Sequence, residues 1–262
     1  MGIVPVVEMN LLKGMSMFTR ENSHMPISLT IAHFMHKVYA WMMLGLMVTA
    51  AAAVATVSTP ALFSFIFGNK IVFYGMLFGQ LGLVVALSAM IKRLSPWAAR
   101  LMFLTYATTL GMILSSLFLV FQMHSILVVF ATTCAMFGVM AVYGYTTKAD
   151  LTNFGSILMM GLIGMIIASL INMFVGSDQL SYIISFIGVI IFTGLIAFDK
   201  QRIKQIAMQL EAQPHYDISS TNMNQVRATE SNIALLCALT LYMDFMNLFL
   251  HLLELMGQRR RN

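Results

Sequence analysis

The last apolar stretch of the chain, LYMDFMNLFLHLLEL at residues 241–255, has the composition of a lipid-embedded helix but contains a carboxylate near its centre. At about 100° per residue, its polar side chains fall within a sector of roughly 100° of a helix. The residues of this sector, called the polar stripe below, are Thr240, Asp244, Asn247, His251 and Glu254. A charged side chain in the middle of a bilayer costs at least ~3 kcal/mol, so the polar stripe must face the protein interior or water.

Asp244 is the member of the polar stripe that most needs a functional explanation. A carboxylate in the middle of a membrane span is a functional site by default. The other members have plainer interpretations, as hydrogen-bonding residues between helices or as residues at the membrane interface. A second carboxylate, Asp199, ends the preceding apolar run and is followed by Lys200 and Arg202. The residues alone favour an interfacial acid paired with these bases, although Asp199 also borders the span next to Asp244.

The composition identifies an integral membrane protein, because 59% of the 262 residues are hydrophobic and only 10% are charged. Soluble domains carry about a quarter charged residues. A helix needs roughly 20 apolar residues to cross a bilayer, and seven stretches meet this requirement. The predicted spans are 38–59, 71–91, 101–120, 126–145, 154–175, 180–198 and 233–256. We therefore predict an all-α protein with a transmembrane domain at 38–256, a cytoplasmic leader at 1–37 and a basic tail at 257–262.

Lysine and arginine are concentrated in the segments that face the inside if the N-terminus is cytoplasmic, which predicts that orientation. The arginines of the tail disagree with it, but we favour a full crossing by the last span, with the tail outside. The polar segment 199–232 is predicted to be a long loop. Glycines spaced for close helix contacts are Gly75, Gly79, Gly82, Gly161 and Gly164, and we expect them to pack against neighbouring helices.

Four segments resemble the Bax inhibitor-1 family of transmembrane proteins: GMILSSLFLVF, FGVMAVYGYTTKADLTNFGSILMMGLIGMIIASLIN, IIFTGLIAFDKQRIK and LTLYMDFMNLFLHLLELMG. The resemblance covers the chain from about residue 30. It implies a seven-helix fold in which the last helix is central and is wrapped by two three-helix halves. It also implies a pH-sensitive calcium leak gated by two aspartates on the last two helices, and these match Asp199 and Asp244. With short loops and no retrieval signal, a bacterial inner membrane is the expected location.

The resemblance also suggests residues that assist the aspartate pair. Some bacterial members have a Glu on the second helix and an Arg near its cytoplasmic end that latches the pair. Gln80 stands at the Glu position, and Lys92 and Arg93 are the candidates for the latch. A neutral Gln80 removes one acidic ligand from the pathway, which would change the ion affinity or the pH response.

The mechanism expected from this resemblance is a proton-dependent switch. Two carboxylates close together in a low-dielectric site cannot both ionise easily, so they would share a proton. The shared proton would tie the sixth and seventh helices together. Its loss would free the carboxylates to pair with Lys92 or Arg93, or to bind calcium transiently through their oxygens. We expect calcium as a transported ion and no cofactor, with membrane lipid, protons and a membrane protein as partners, and no nucleic acid.

Two other classes of function remain as alternatives. The chain could be a non-conducting regulator that binds a membrane protease or a stress or cell-death factor through the leader and the 199–232 loop. Truncation of the leader would then impair partner binding and spare conductance. An intramembrane aspartyl protease also uses two carboxylates, but Asp244 lacks the Gly-x-Gly-Asp context of that class. We therefore do not expect an enzyme.

Overall fold

The computed structural model describes residues 27–91, 93–212 and 220–260, and the elements among them are α-helices. Their bounds are α1 Ile27–Ser58, α2 Pro60–Gly68, α3 Lys70–Met90, α4 Pro96–Leu114, α5 Leu117–Val120, α6 Met123–Thr146, α7 Thr152–Val175, α8 Asp178–Ala212 and α9 Ser220–Met256. The described residues contain no β-strand, and one isolated β-bridge joins Phe121 to Arg259. The all-α class is therefore confirmed.

Seven helical segments are long and apolar enough to cross a membrane, as predicted. They are α1, α3, α4 together with α5, α6, α7, α8 and α9, and each overlaps one predicted span. The first helix begins at Ile27, inside the segment predicted as a leader, and residues 1–26 lie outside the described part of the chain.

The helix starts follow from local chemistry. Pro60 and Pro96 stand at the first positions of α2 and α4, where a missing backbone N–H costs nothing. Asn69 caps α3, because its side chain accepts hydrogen bonds from the first turn. Ser95 caps α4 in the same way. These caps fix where the second and third spans enter the bilayer.

The prediction of a long polar loop at 199–232 is wrong. α8 continues through polar residues to Ala212, and α9 begins at Ser220. Residues such as Lys, Gln, Glu and Met are good helix formers in water, so the helices extend past the apolar part of the chain. The connection between the last two helices is therefore limited to residues 213–219, and each helix extends beyond its predicted span.

α9 is the most buried of the seven spans. It contacts α1 and α4 from the first three spans and α6 and α8 from the next three. Its fully buried side chains include Leu241, Tyr242 and Leu248. The last helix therefore contributes side chains to the core around most of its circumference.

The prediction of tight packing at the glycines is wrong for most of them. A methyl group built on Gly75, Gly79, Gly82 or Gly164 would meet nothing within 4 Å in the described chain. α3 instead points large side chains outward, and Ile71 and Phe78 are 83% and 71% exposed. The close approaches occur elsewhere, for example where Gly144 lies against the backbone of Ala197.

Candidate functional site: a buried aspartate pair

Asp199 and Asp244 lie at the interface of α8 and α9, with their carboxyl groups close enough to interact directly and to share a proton. They are 9% and 5% exposed, so both are withdrawn from solvent. Asp244 belongs to a helix that is largely apolar for several turns around it, whereas Asp199 stands at the end of the apolar part of α8. The packing of α8 against α9 positions the two carboxyl groups. Two carboxylates cannot hydrogen-bond to each other unless one carries a proton, so this contact is compatible with a singly protonated pair.

No cation neutralises the pair at ion-pair distance in the described part of the chain, where Lys37–Glu230 and Arg259–Glu254 are the ion pairs. The Oδ2 atom of Asp244 is buried and has no hydrogen-bond donor there. A buried charged oxygen without a donor is costly, whereas a protonated carboxyl is much less so. The pair is therefore held in place by the packing of α8 against α9, and a proton shared between the two carboxyl groups would lower the cost of burying them.

The basic residues that follow Asp199 are directed to different places. Lys200 is 4% exposed, but its Nζ lies 4.2 Å from the ring centroid of Tyr39 and 5.3 Å from that of Tyr145. Arg202 is exposed and lies close enough to act on Asp199 through its charge. The two aromatic rings keep the Lys200 ammonium in a cation–π site, so it does not neutralise the pair.

The latch candidates are not seen at the pair. Arg93 is exposed in the turn after α3. Lys92 lies outside the described residues, so its prediction has no structural counterpart. Gln80 points to the third span, where its Nε2 makes long contacts with the Tyr106 carbonyl oxygen at 3.5 Å and with Thr109 Oγ1 at 3.4 Å.

The other members of the polar stripe have separate surroundings. Thr240 donates to the Leu236 carbonyl of its own helix at 3.2 Å, and Asn247 is half-buried. His251 stacks on Phe192 with ring centroids 5.6 Å apart. Phe192 precedes Asp199 by two helical turns and His251 follows Asp244 by two turns, so the two contacts lie ~10 Å apart along one antiparallel interface.

Comparison with known proteins identifies the group to which this arrangement belongs. The family described as "Inhibitor of apoptosis-promoting Bax1" matches residues 31–261. The chain belongs to the Bax inhibitor-1 family. It is 39% identical over 246 residues to the "Inner membrane protein YbhL" of Escherichia coli K12, covering 94% of this chain and all of that protein. An uncharacterized protein of Borreliella burgdorferi is 41% identical over 229 residues, covering 87% and 93% of the two chains.

This Bax inhibitor-1 family member offers few protein ligands to a metal ion at the pair. Calcium takes six to eight oxygen ligands in proteins. The described residues contain no group of three or more His, Cys, Asp or Glu side chains that could hold a metal. Two carboxylates alone supply fewer oxygen ligands than calcium takes in proteins.

A buried hydrogen bond that the sequence did not reveal lies on the opposite side of α9 from Asp244. The Tyr242 hydroxyl lies 2.6 Å from Thr49 Oγ1, which also contacts the carbonyl oxygens of Gly45 at 2.9 Å and Ala107 at 3.0 Å. Gly45 leaves room for this contact, because a methyl group there would meet the Phe103 and Tyr242 rings. The helical pattern counted Tyr242 as apolar, and only the packed structure shows where its hydroxyl bonds.

Three consecutive residues at the start of the last span form a second set of contacts that the sequence did not reveal, called the inner clamp below. Glu230 pairs with Lys37 of α1 at 2.8 Å, and Ser231 accepts from Arg100 Nη2 of α4 at 3.3 Å. Asn232 donates from Nδ2 to the Ile91 and Leu94 carbonyls at 3.0 and 2.8 Å, at the C-terminal end of α3. Successive helix positions point about 100° apart, so the inner clamp reaches the first three spans. The only sequence signal was a run of polar residues before an apolar stretch.

Proposed function

We propose that this Bax inhibitor-1 family member is a proton-gated calcium leak pathway of a bacterial inner membrane, with Asp199 and Asp244 as its gate. The observation that carries the proposal is the close approach of two buried carboxyl groups on neighbouring membrane-spanning helices. The location is supported by the bacterial relatives, one of which is named an inner membrane protein. The distribution of Lys and Arg supports a cytoplasmic N-terminus.

The gate depends on the proton that the two carboxyl groups share. With one proton present, the hydrogen bond joins α8 to α9 and one negative charge is spread over the pair. With no proton, two negative charges in a low-dielectric site repel each other. Separation of the carboxylates then opens the α8–α9 interface and presents oxygen ligands to a cation. Calcium flux should therefore rise as the pair loses its last proton.

The surroundings of the pair support a cation pathway over a permanent ion pair. The two described ion pairs lie away from the carboxyl groups, and Lys200 is held by aromatic rings. On the outer side of the pair, His251 closes the same interface against Phe192. The polar stripe thus provides hydrogen-bonding and charged groups along one face of α9 for most of the membrane thickness.

The test is calcium flux into proteoliposomes that contain an internal calcium indicator, measured across a series of external and internal pH values. Asp199→Asn and Asp244→Asn should each flatten the pH dependence, because a single remaining carboxyl cannot form the shared-proton pair. The matched control is Asp178→Asn, which makes the same change at an exposed position at the other end of α8. The control should keep the pH dependence of the original protein.

Unchanged pH-dependent flux in both Asn variants would contradict the gate. Absence of protein-dependent calcium flux at every pH, in a preparation that retains its helical content, would contradict the leak itself. If the original protein cleaves a transmembrane substrate and Asp244→Asn does not, the protein is an intramembrane protease and the proposal is wrong. The family is not a known enzyme family, so we do not expect that result.

A further inference from the structure

A groove with almost entirely apolar walls lies between α1 and α6, with a volume of about 240 Å³. Its floor is formed by Met246 and Phe249 of α9. One wall includes Ala50 and Val54 of α1, and the opposite wall includes Phe130 of α6. Ala50, Val54 and Phe130 are exposed, so the groove opens to the surroundings of the bundle. Because these helices span the membrane, those surroundings are lipid.

A break in the third span shapes the end of the groove that lies nearest to the C-terminal tail. α4 ends at Leu114 and α5 begins at Leu117. Ser115 donates to the Met112 carbonyl at 2.6 Å, and Ser116 donates to the Ile113 carbonyl at 3.0 Å. Such bonds from serine to the preceding turn compete with helical bonds and bend helices. The bend turns Leu117 and Phe118 into the groove lining.

The described part of the basic tail, residues 257–260, is fixed at the same end of the bundle. Arg260 N donates to the Val120 carbonyl at 2.8 Å, and Gln122 N donates to the Gln258 carbonyl at 3.0 Å. Gln258 N donates to Ser125 Oγ at 2.9 Å. Gly257 allows this approach, because a methyl group there would meet the Phe121 ring. Val120 lies between Phe118 and Met123, both of which line the groove, so the tail is held at its mouth.

We propose that the groove binds an acyl chain of an anionic phospholipid and that Arg260 binds its phosphate headgroup. The occupant must be apolar over the groove, because an apolar cavity of ~150 Å³ already excludes water and takes up hydrocarbon. It must also suit positive charge at one end of the groove. A phospholipid with net negative charge has both parts, and the bilayer supplies it at high local concentration.

The charged residues at the mouth of the groove differ in how available they are, and Arg260 is the one best placed to bind the phosphate headgroup. Arg259 forms an ion pair with Glu254 at 2.8 Å, so its positive charge is partly compensated within the protein. His124, which is exposed in the first turn of α6, faces the same end. Arg260 is exposed and makes no ion pair in the described part of the chain. A single basic residue near a lipid surface contributes roughly a fivefold factor to binding of anionic lipid.

The test is native mass spectrometry of the full-length protein released from detergent after incubation with phosphatidylglycerol or phosphatidylcholine of the same acyl chains. The original protein should retain phosphatidylglycerol more strongly than phosphatidylcholine. Ala50→Phe fills the groove and should lower retention of both lipids. Arg260→Gln should lower retention of phosphatidylglycerol by roughly fivefold and leave phosphatidylcholine unchanged.

Matched controls separate binding from general damage. Ala55→Phe makes the same change at an exposed position of α1 outside the groove, and Lys148→Gln removes an exposed positive charge away from the groove lining. Both should bind lipid as the original protein does. Equal retention of the two lipids by the original protein would overturn the headgroup assignment.

Unchanged retention in Ala50→Phe would overturn the groove assignment. If Ala50→Phe does not fold, Ala50→Leu is tested instead, because it adds less volume at the same position. Ala50→Leu should also lower the retention of both lipids, by a smaller amount. Competition by glycerol phosphate equal to that by whole lipid would show a headgroup site without an acyl site, and would also overturn the proposal. If the original protein is detected as a dimer and Ala50→Phe as a monomer, the groove binds a second copy of the chain and not a lipid.

Discussion

The hydrogen bond between Thr49 and Tyr242 makes a quantitative prediction about how α9 is held against α1. Tyr242 is fully buried, and its ring packs edge-on to Phe103 and Tyr106 with centroids 5.9 Å from each. Thr49 has one hydroxyl hydrogen, which can go to the Gly45 or the Ala107 carbonyl. The Tyr242 hydroxyl must therefore be the donor in the 2.6 Å contact with Thr49.

This assignment predicts that removal of the acceptor and removal of the donor lower the free energy of unfolding by different amounts. Thr49→Val keeps the side-chain shape but leaves the Tyr242 hydroxyl buried without an acceptor, which costs about 1–3 kcal/mol. Tyr242→Phe removes the donor, and Thr49 still donates to a carbonyl oxygen. Hydrogen bonds between membrane helices contribute ~0.6 kcal/mol on average and at most ~1.7 kcal/mol, so this second loss should lie in that range. The double variant should resemble Tyr242→Phe alone, because neither partner is then left unpaired.

The measurement is the free energy of unfolding of the purified protein in mixed micelles, obtained by titration with a denaturing detergent. Thr49→Val should be the least stable of the three variants, and the double variant should recover stability relative to it. The magnitude of the coupling energy should then equal the loss in Thr49→Val, about 1–3 kcal/mol. A smaller loss for Thr49→Val than for Tyr242→Phe, or losses that simply add in the double variant, would refute the donor assignment.

Two further predictions concern the outer half of the α8–α9 interface and the beginning of the chain. Gly188→Ala should lower the thermal unfolding midpoint, because the new methyl group would lie 2.5 Å from His251 Cδ2, whereas Gly164→Ala meets nothing within 4 Å and should be near neutral in the same assay. Deletion of residues 2–26 should leave calcium flux in proteoliposomes unchanged, and loss of flux at normal helical content would count against a pathway formed by the membrane-spanning helices alone.

The number and approximate position of the spans could be predicted because the thickness of a bilayer sets the length of an apolar helix. The same pattern could not predict that α8 and α9 continue through the polar residues between the last two spans, since hydropathy reports membrane contact and not helix formation. The Gly75–Gly79 spacing misled for a related reason. Small residues at this spacing permit close helix contact, but they do not require it, and on α3 they face outward.

The site could be predicted in part. The cost of a buried charge marked Asp244 from one sequence, and its helical face followed from the spacing of its neighbours. That Asp199 meets it, while Lys200 turns to Tyr39, depends on the relative position of two helices. This position is set by side-chain packing across the interface, as where His251 lies against Gly188 and Phe192. Such register has no local sequence signal, so the residues alone favoured pairing of Asp199 with its neighbouring bases.

The contacts of α9 differ in chemistry, and this difference bears on how the proposed gate would move. The inner clamp joins α9 to the first three spans through a Lys–Glu pair and through guanidinium and amide hydrogen bonds, none of which needs a proton shared by two carboxyl groups. The tail beyond α9 is held by backbone hydrogen bonds, and Tyr242 is held by Thr49. The bond between the two aspartates is the one that needs a shared proton. Loss of that proton would therefore leave α9 attached to the first three spans, and α8 is the helix that would move away from it.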